Sequence, residues 1–224
     1  MNQKIKYLYG EKSNLLDFYQ HGGPLWFRDI YTLNMLENNL ICDDESNKSF
    51  NIGSKHIKRF TIDGKEYKLF PNSKFKIHQP TRRCHVLCLS NSGFNSELFQ
   101  RFNADICIAI NVELMIQAIK DGNKNIEVIG RNVEYFKHDK FPDSLDTKEL
   151  VFIKDFEKYN IEDEYRIAVF WPCDNKTKIE TECGNFINLF GEKPSIDNHI
   201  EFTFEGSDLT DLIIKAQDNK KLYY

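Results

Sequence analysis

The sequence predicts an α+β fold: a mixed, largely antiparallel sheet with flanking helices and an inserted basic β-hairpin. Three observations carry this. Short apolar strand segments outnumber helical ones, and they do not alternate strictly with helices as they would in a doubly wound nucleotide-binding fold. Between two β-rich segments sits Asp63-Gly64, a pair whose tolerance of positive φ suits a tight hairpin turn.

From the N-terminus, residues 14–19 read as a short apolar helix. The turn His21-Gly22-Gly23-Pro24 then delivers the chain into a strand starting Leu25-Trp26-Phe27-Arg28, and Leu33, Leu36 and Leu40 follow at helical spacing. Phe60-Thr61-Ile62 and Tyr67-Lys68-Leu69 form the arms of the hairpin. Residues 84–90 are apolar on both faces and short, which fits a central strand. A loop over 91–95 leads to a helix that Ser96 caps and that runs through Phe102. Residues 105–110 make another strand. Apolar positions 112, 115, 116 and 119 then trace one face of a helix that Gly122 terminates. Further strands fall near 126–129, 133–136, 150–153, 165–171 and 199–205. Leu209, Leu212, Ile213 and Ala216 mark a last amphipathic helix, capped by Ser207 or Asp208.

Nothing repeats at a fixed period and no linker-like stretch appears, so residues 1–224 read as one domain with a basic hairpin inserted at about 50–83. With 41% hydrophobic and 29% charged residues the chain is neither disordered nor fibrous. At this length a fold buries roughly 70% of the surface its unfolded chain exposes, so neither disulfides nor a structural metal is needed. No apolar run reaches the roughly eighteen residues of a membrane helix, and the start lacks a secretory h-region. The six scattered cysteines read as reduced, packed thiols, and the expected location is the cytoplasm.

The net charge of −4 hides an asymmetry: residues 55–83 hold nine Lys or Arg against two acids, whereas residues 141–224 hold ten basic against eighteen acidic residues. Lysines on an exposed hairpin keep a sheet edge soluble. The same Lys65, Lys68, Lys74 and Lys76 are also the candidates for binding phosphate or nucleic acid.

Dinucleotide-fold, P-loop and hydrolase-elbow motifs are absent. Cys84, His85 and Cys88 do not make a metal site, because on a strand His85 points away from the other two, and no second ligand pair stands at knuckle spacing. The densest chemistry lies at Glu162-Asp163-Glu164, which runs into the apolar strand Tyr165-Arg166-Ile167. Two carboxylates two apart at a strand start share a face. One can then polarise a sugar hydroxyl while the other orients an attacking group, chemistry suited to cleavage at an anomeric carbon. The plainer alternative is an exposed acidic turn in which Arg166 makes a surface ion pair. For Arg28 the plainer alternative is a pair with Asp29 or a nearby acid.

In their order, Trp26-Phe27-Arg28, Leu89-Ser90 and Glu162-x-Glu164 resemble the arginine, serine, glutamate pattern of the ADP-ribosyltransferases. The resemblance implies an ADP-ribosyltransferase-like fold with NAD as substrate. Arg28 would hold the dinucleotide beside Trp26, Ser90 would brace the site, Glu164 would engage the nicotinamide ribose and Glu162 would activate the acceptor. The acceptor implied is a protein or nucleic acid. The layout over residues 25–172 is also similar to an uncharacterised bacterial family associated with phage defence and abortive infection. That similarity implies a toxin or defence protein with an antitoxin or defence-system partner and no membrane. The chain departs from the usual Ser-Thr-Ser with Ser90-Asn91-Ser92, and its basic insertion is longer than a minimal toxin domain needs. The competing function is a non-catalytic binding or phage-interaction module, with nucleic-acid binding through the hairpin.

Overall fold

The computed structural model describes residues 5–36, 44–53, 59–68, 74–137, 146–172, 178–180, 183–191, 195, 197–204 and 207–219. The chain opens with β1 (Ile5–Gly10), α1 (Lys12–His21), β2 (Leu25–Asp29) and the single turn α2 (Leu33–Leu36). A ribbon follows, made of β3 (Asn47–Gly53), β4 (Phe60–Ile62), β5 (Lys65–Tyr67) and β6 (Lys74–Pro80). Next come β7 (His85–Ser90), α3 (Ser96–Arg101), β8 (Ile106–Asn111), α4 (Val112–Gly122), β9 (Glu127–Asn132) and β10 (Glu134–Phe136). The last part holds β11 (Ile153–Asp155), α5 (Phe156–Tyr159), β12 (Glu164–Phe170), β13 (Lys178–Glu180) and β14 (Phe186–Asn188). It ends with β15 (His199–Phe202), α6 (Ser207–Leu212) and β16 (Ile213–Asp218).

The protein is α+β, and its eight-stranded main sheet is antiparallel at every pairing. Strand β7 is central, as its two apolar faces require. One of its edges pairs with β12 from Val169↔His85 to Glu164↔Ser90, and β9 lies beyond β12. The other edge is shared: β2 takes its start at Arg28↔Val86 and Asp29↔His85, while β1 takes its end at Tyr7↔Ser90. The two neighbours therefore diverge, and the sheet splits beside the middle of β7.

On one face, Leu87, Leu89, Ile108, Ile110, Ile167 and Val169 form the main core with α1, α4 and α6. Helix α4 belongs there because Val112, Met115 and Ile119 recur at helical spacing and are fully buried. Asn111 supplies its N-cap by accepting from Leu114 N–H. On the other face, Val86, Ala168 and Phe170 pack with Ile30, Val151 and Phe152. Glu164 and Arg166, earlier in β12, alternate onto this second face by its pleat.

The hairpin forms around the predicted turn, Asp63 (φ 50°) and Gly64 (φ 74°), two successive left-handed residues of the kind a two-residue turn demands; its second arm is Lys65–Tyr67, not the expected 67–69, because a two-residue turn starts the pairing at Ile62↔Lys65. Strands β3 and β6 pair beneath it, and Phe50 anchors the ribbon against Leu150 and Ile153. Leu40, Leu69, Cys42 and Cys173 lie outside the described residues.

Some expectations are corrected. Residues 149–152 form a 3-10 turn and the strand starts only at Ile153, since Asp146 accepts the Lys148 and Glu149 amides and nucleates the turn. The last amphipathic helix stops at Leu212. Ile213 and Ala216 still reach the main core, but from β16, whose edge pairing with β8 outweighs helical spacing. The cap of α3 is Asn95, which accepts from Glu97 N–H. Arg82 and Arg83 do not extend the basic surface. Arg83 pairs with the buried Asp29 and Arg82 donates to the Trp171 carbonyl.

Candidate functional site

At the split in the sheet a cleft of about 360 Å³ opens onto the second face, and a recess of about 200 Å³ adjoins it through Tyr9, Gly10 and Arg28. The cleft brings together Arg28 from β2, Ser90 from β7, and Glu162 and Glu164. Trp26 lines the recess, stacked on His199 at 4.2 Å with the Arg28 guanidinium 5.0 Å from its ring. Asp29 is held by Arg83, and the acid that acts on Arg28 is Asp197, as the nearby-acid alternative has it. Burial lowers the Arg28 pKa, with Asp197 opposing the shift. Tyr7 and Tyr9, packed against Phe94, Phe99 and Phe102, form the aromatic wall opposite.

Glu164 reaches the cleft by the pleat of β12, but Glu162 does so by another route. Glu162 ends a 3-10 turn, Asp163 takes a left-handed conformation (φ 42°), and β12 begins only at Glu164. Ser90 holds this turn: its Oγ donates to the Glu162 carbonyl at 2.7 Å and accepts from Ser92 N–H at 3.0 Å. Asn91 and Ser92 continue the brace by donating to Asp163. The serine's proton is thus committed to the protein, and the departure Ser90-Asn91-Ser92 has a use.

Neither glutamate is an exposed acid, which corrects the surface-turn alternative. Glu162 is 3% exposed, Glu164 4% and Arg166 fully buried. Arg166 Nε donates to Glu164 Oε1 at 2.6 Å and its other nitrogens to Glu45 and the Val151 carbonyl. Lys154 Nζ lies 2.9 Å from Glu164 Oε2, 3.1 Å from Glu162 Oε2 and 3.6 Å from Glu45 Oε1. Arg101 Nε donates to Glu162 Oε1 at 2.9 Å, and Lys48 meets Glu45 at 2.8 Å. Burial alone would raise the Glu164 pKa, but Arg166 and then Lys154 bring it down to about 2. Burial opposes the charge on Lys154 too, and is outweighed by Glu164 and then Glu45, so its pKa stands well above the ordinary lysine value. Cys88 opens to the cleft beside Glu164. Enclosure by protein and then that carboxylate push its pKa well up, leaving a neutral thiol.

A buried ion network of this size gains little over apolar packing, while removing one partner costs about 3–5 kcal/mol. Charges held at such expense on a cleft wall are a mark of a functional site. Sequence reasoning missed Glu45, Lys154 and Arg101 and gave Arg166 no part beyond a surface ion pair. Lys154 follows the apolar run 150–153, which reads as core, and Glu45 lies 121 residues from Arg166. No short-range pattern marks either of them.

The hairpin lysines stay apart from this cluster. Lys65 and Lys68 are exposed on or beside β5, and Lys76 is exposed on β6. Lys74 is on β6, with its side chain outside the described residues. Among the described residues no group of side chains could hold a metal ion, and no helix is long and apolar enough to cross a membrane. Compared with protein-family models, with curated proteins and with solved structures, the chain finds no match.

Proposed function

We propose that the protein is an NAD-dependent ADP-ribosyltransferase. It breaks the bond between nicotinamide and ribose and passes ADP-ribose to a macromolecular acceptor. The observation that carries this reading is the convergence of Arg28, Ser90, Glu162 and Glu164, far apart in sequence, on one cleft at the split of the sheet. As the bond breaks, nicotinamide leaves with the electron pair and positive charge develops on the ribose. Glu164, ionised and fixed by Arg166, is a preorganised carboxylate for that charge and engages the ribose hydroxyls. Glu162 takes the acceptor's proton, and Arg28, beside the Trp26 ring, takes the dinucleotide's phosphates.

The acceptor is a protein or a nucleic acid. Exposed Lys65, Lys68 and Lys76 favour nucleic acid, which the hairpin would recruit; in the competing reading such binding is the protein's whole function. The resemblance to a phage-defence and abortive-infection family supports a toxin role in the bacterial cytoplasm, held in check by an antitoxin.

Incubating purified protein with NAD labelled in its adenylate half and a lysate, with and without nuclease or protease, tests the reading. Released nicotinamide and a labelled product removed by one of the two treatments are expected. Glu162→Gln should abolish transfer and leave slow NAD hydrolysis, because water needs less activation than a macromolecular acceptor. If no form of the protein turns over NAD, the binding-module reading replaces this one.

A further inference from the structure

We propose that Lys154 is the positioning residue of the cleft, a single ammonium that clamps Glu162 and Glu164 side by side. Lys154 comes from β11, which pairs parallel with β10 outside the main sheet, so it enters the site independently of the strands that carry the glutamates. It is 3% exposed, and its Nζ stands 4.8 Å from the Tyr159 ring centre, which shields it from one side.

The charged and titratable groups facing the two glutamates come from several elements. Arg166 lies on β12 and Cys88 on β7; Arg101 comes from α3 and Glu45 from just ahead of β3. Tyr135 of β10 accepts the Glu164 N–H with its phenol oxygen at 2.7 Å. Among the cations in this set, Arg166 meets Glu164 and Glu45, and Arg101 meets Glu162. Lys154 meets all three carboxylates.

Two carboxylates on one cleft wall repel each other, and without the shared counter-charge the Glu164 carboxyl holds its proton to higher pH, even with Arg166 beside it. A protonated Glu164 could not stabilise positive charge on ribose, and a protonated Glu162 could not take a proton from an acceptor. An ammonium bridging the pair removes that conflict and sets the separation of the two oxygens it touches. The catalytic consequence rests on the function proposed above, whereas the clamp itself belongs to the free protein.

The test has two readouts on wild type, Lys154→Met and Lys154→Arg. One is the titration of the glutamate side-chain carboxyls by carbon NMR; the other is nicotinamide release from NAD across pH 5 to 9. In wild type the Glu164 carboxyl should stay ionised to near pH 2 and release should show no acid limb in this range. In Lys154→Met the Glu164 carboxyl should titrate at higher pH, with release falling about tenfold per pH unit below that value. Lys154→Arg, which keeps the cation, should reverse both changes. A structural role for Lys154 would lower release equally at all pH values, and that overturns the proposal. So does an ordinary glutamate titration for Glu164 in wild type, a readout that needs no variant to fold. Shifted titrations with no NAD turnover in any form would uphold the clamp and remove the transferase reading.

Discussion

Glu164 carries its negative charge where water barely reaches it, and it does so because Arg166 and Lys154 sit against both of its oxygens. Its pKa is lowered to about 2 from an ordinary 4.5, so its contribution to stability is fully present above pH 4.5 and is lost as pH falls towards about 2. Thermal unfolding at pH 7 and pH 3 should therefore show a drop for wild type. The drop should be smaller for Glu164→Gln, which has no proton to take up. An equal drop in both would mean that other carboxylates carry the acid lability. At pH 7 the same variant should be the less stable by about 3–5 kcal/mol, because Arg166 and Lys154 lose a buried partner. At this scale the two glutamates were legible in sequence, since both fall within a three-residue acidic run beside a strand. Their partners were not, because a buried ion network is assembled by register and packing across the chain, and a lone Lys after an apolar run carries no sign of where its ammonium ends.

At the scale of elements, the Asp63-Gly64 hairpin and β7 were legible because each is specified locally, by turn chemistry in one and by apolarity on both faces in the other. Of the misread segments, 149–152 turns on a local feature, Asp146 accepting two amides, whereas at 213–218 a distant partner decides: the apolar residues have helical spacing, but the exposed edge of β8 claims them. The glutamate pair shows the same limit, for its side chains face one cleft through a left-handed residue at Asp163 that nothing in the sequence announces. The ribbon gives a separate prediction. Replacing Lys65, Lys68, Lys74 and Lys76 together with Gln should change stability by no more than about 0.5 kcal/mol per site, since solvated lysines hold little of the fold. If the hairpin recruits nucleic acid, the quadruple variant should lose affinity at low salt and show a shallower dependence on salt concentration. Unchanged binding in a filter assay at low salt would discard the hairpin as a nucleic-acid surface.

For the molecule as a whole, the layout has a simple logic. One face of the sheet is closed by three helices over an apolar core, and the other is left for the ribbon, the ion network and the cleft. Because β1 and β2 share one edge of β7 and then part, the sheet opens a cleft without an extra domain, and Ser90, opposite Tyr7 of β1, ties β7 to the glutamate turn. The fold class was legible from strand count and order, while the split was not, since it depends on which strand takes which end of β7. On the function proposed, Glu164 in this cleft stabilises the departure of nicotinamide from NAD. The rate of nicotinamide release at saturating NAD, compared between wild type and Glu164→Gln, tests it most directly. A single preorganised carboxylate contributes roughly 3 kcal/mol to such a transition state, so the variant should release nicotinamide about a hundredfold more slowly while binding NAD nearly as well. An active wild type with a fully active Glu164→Gln variant would contradict the claim.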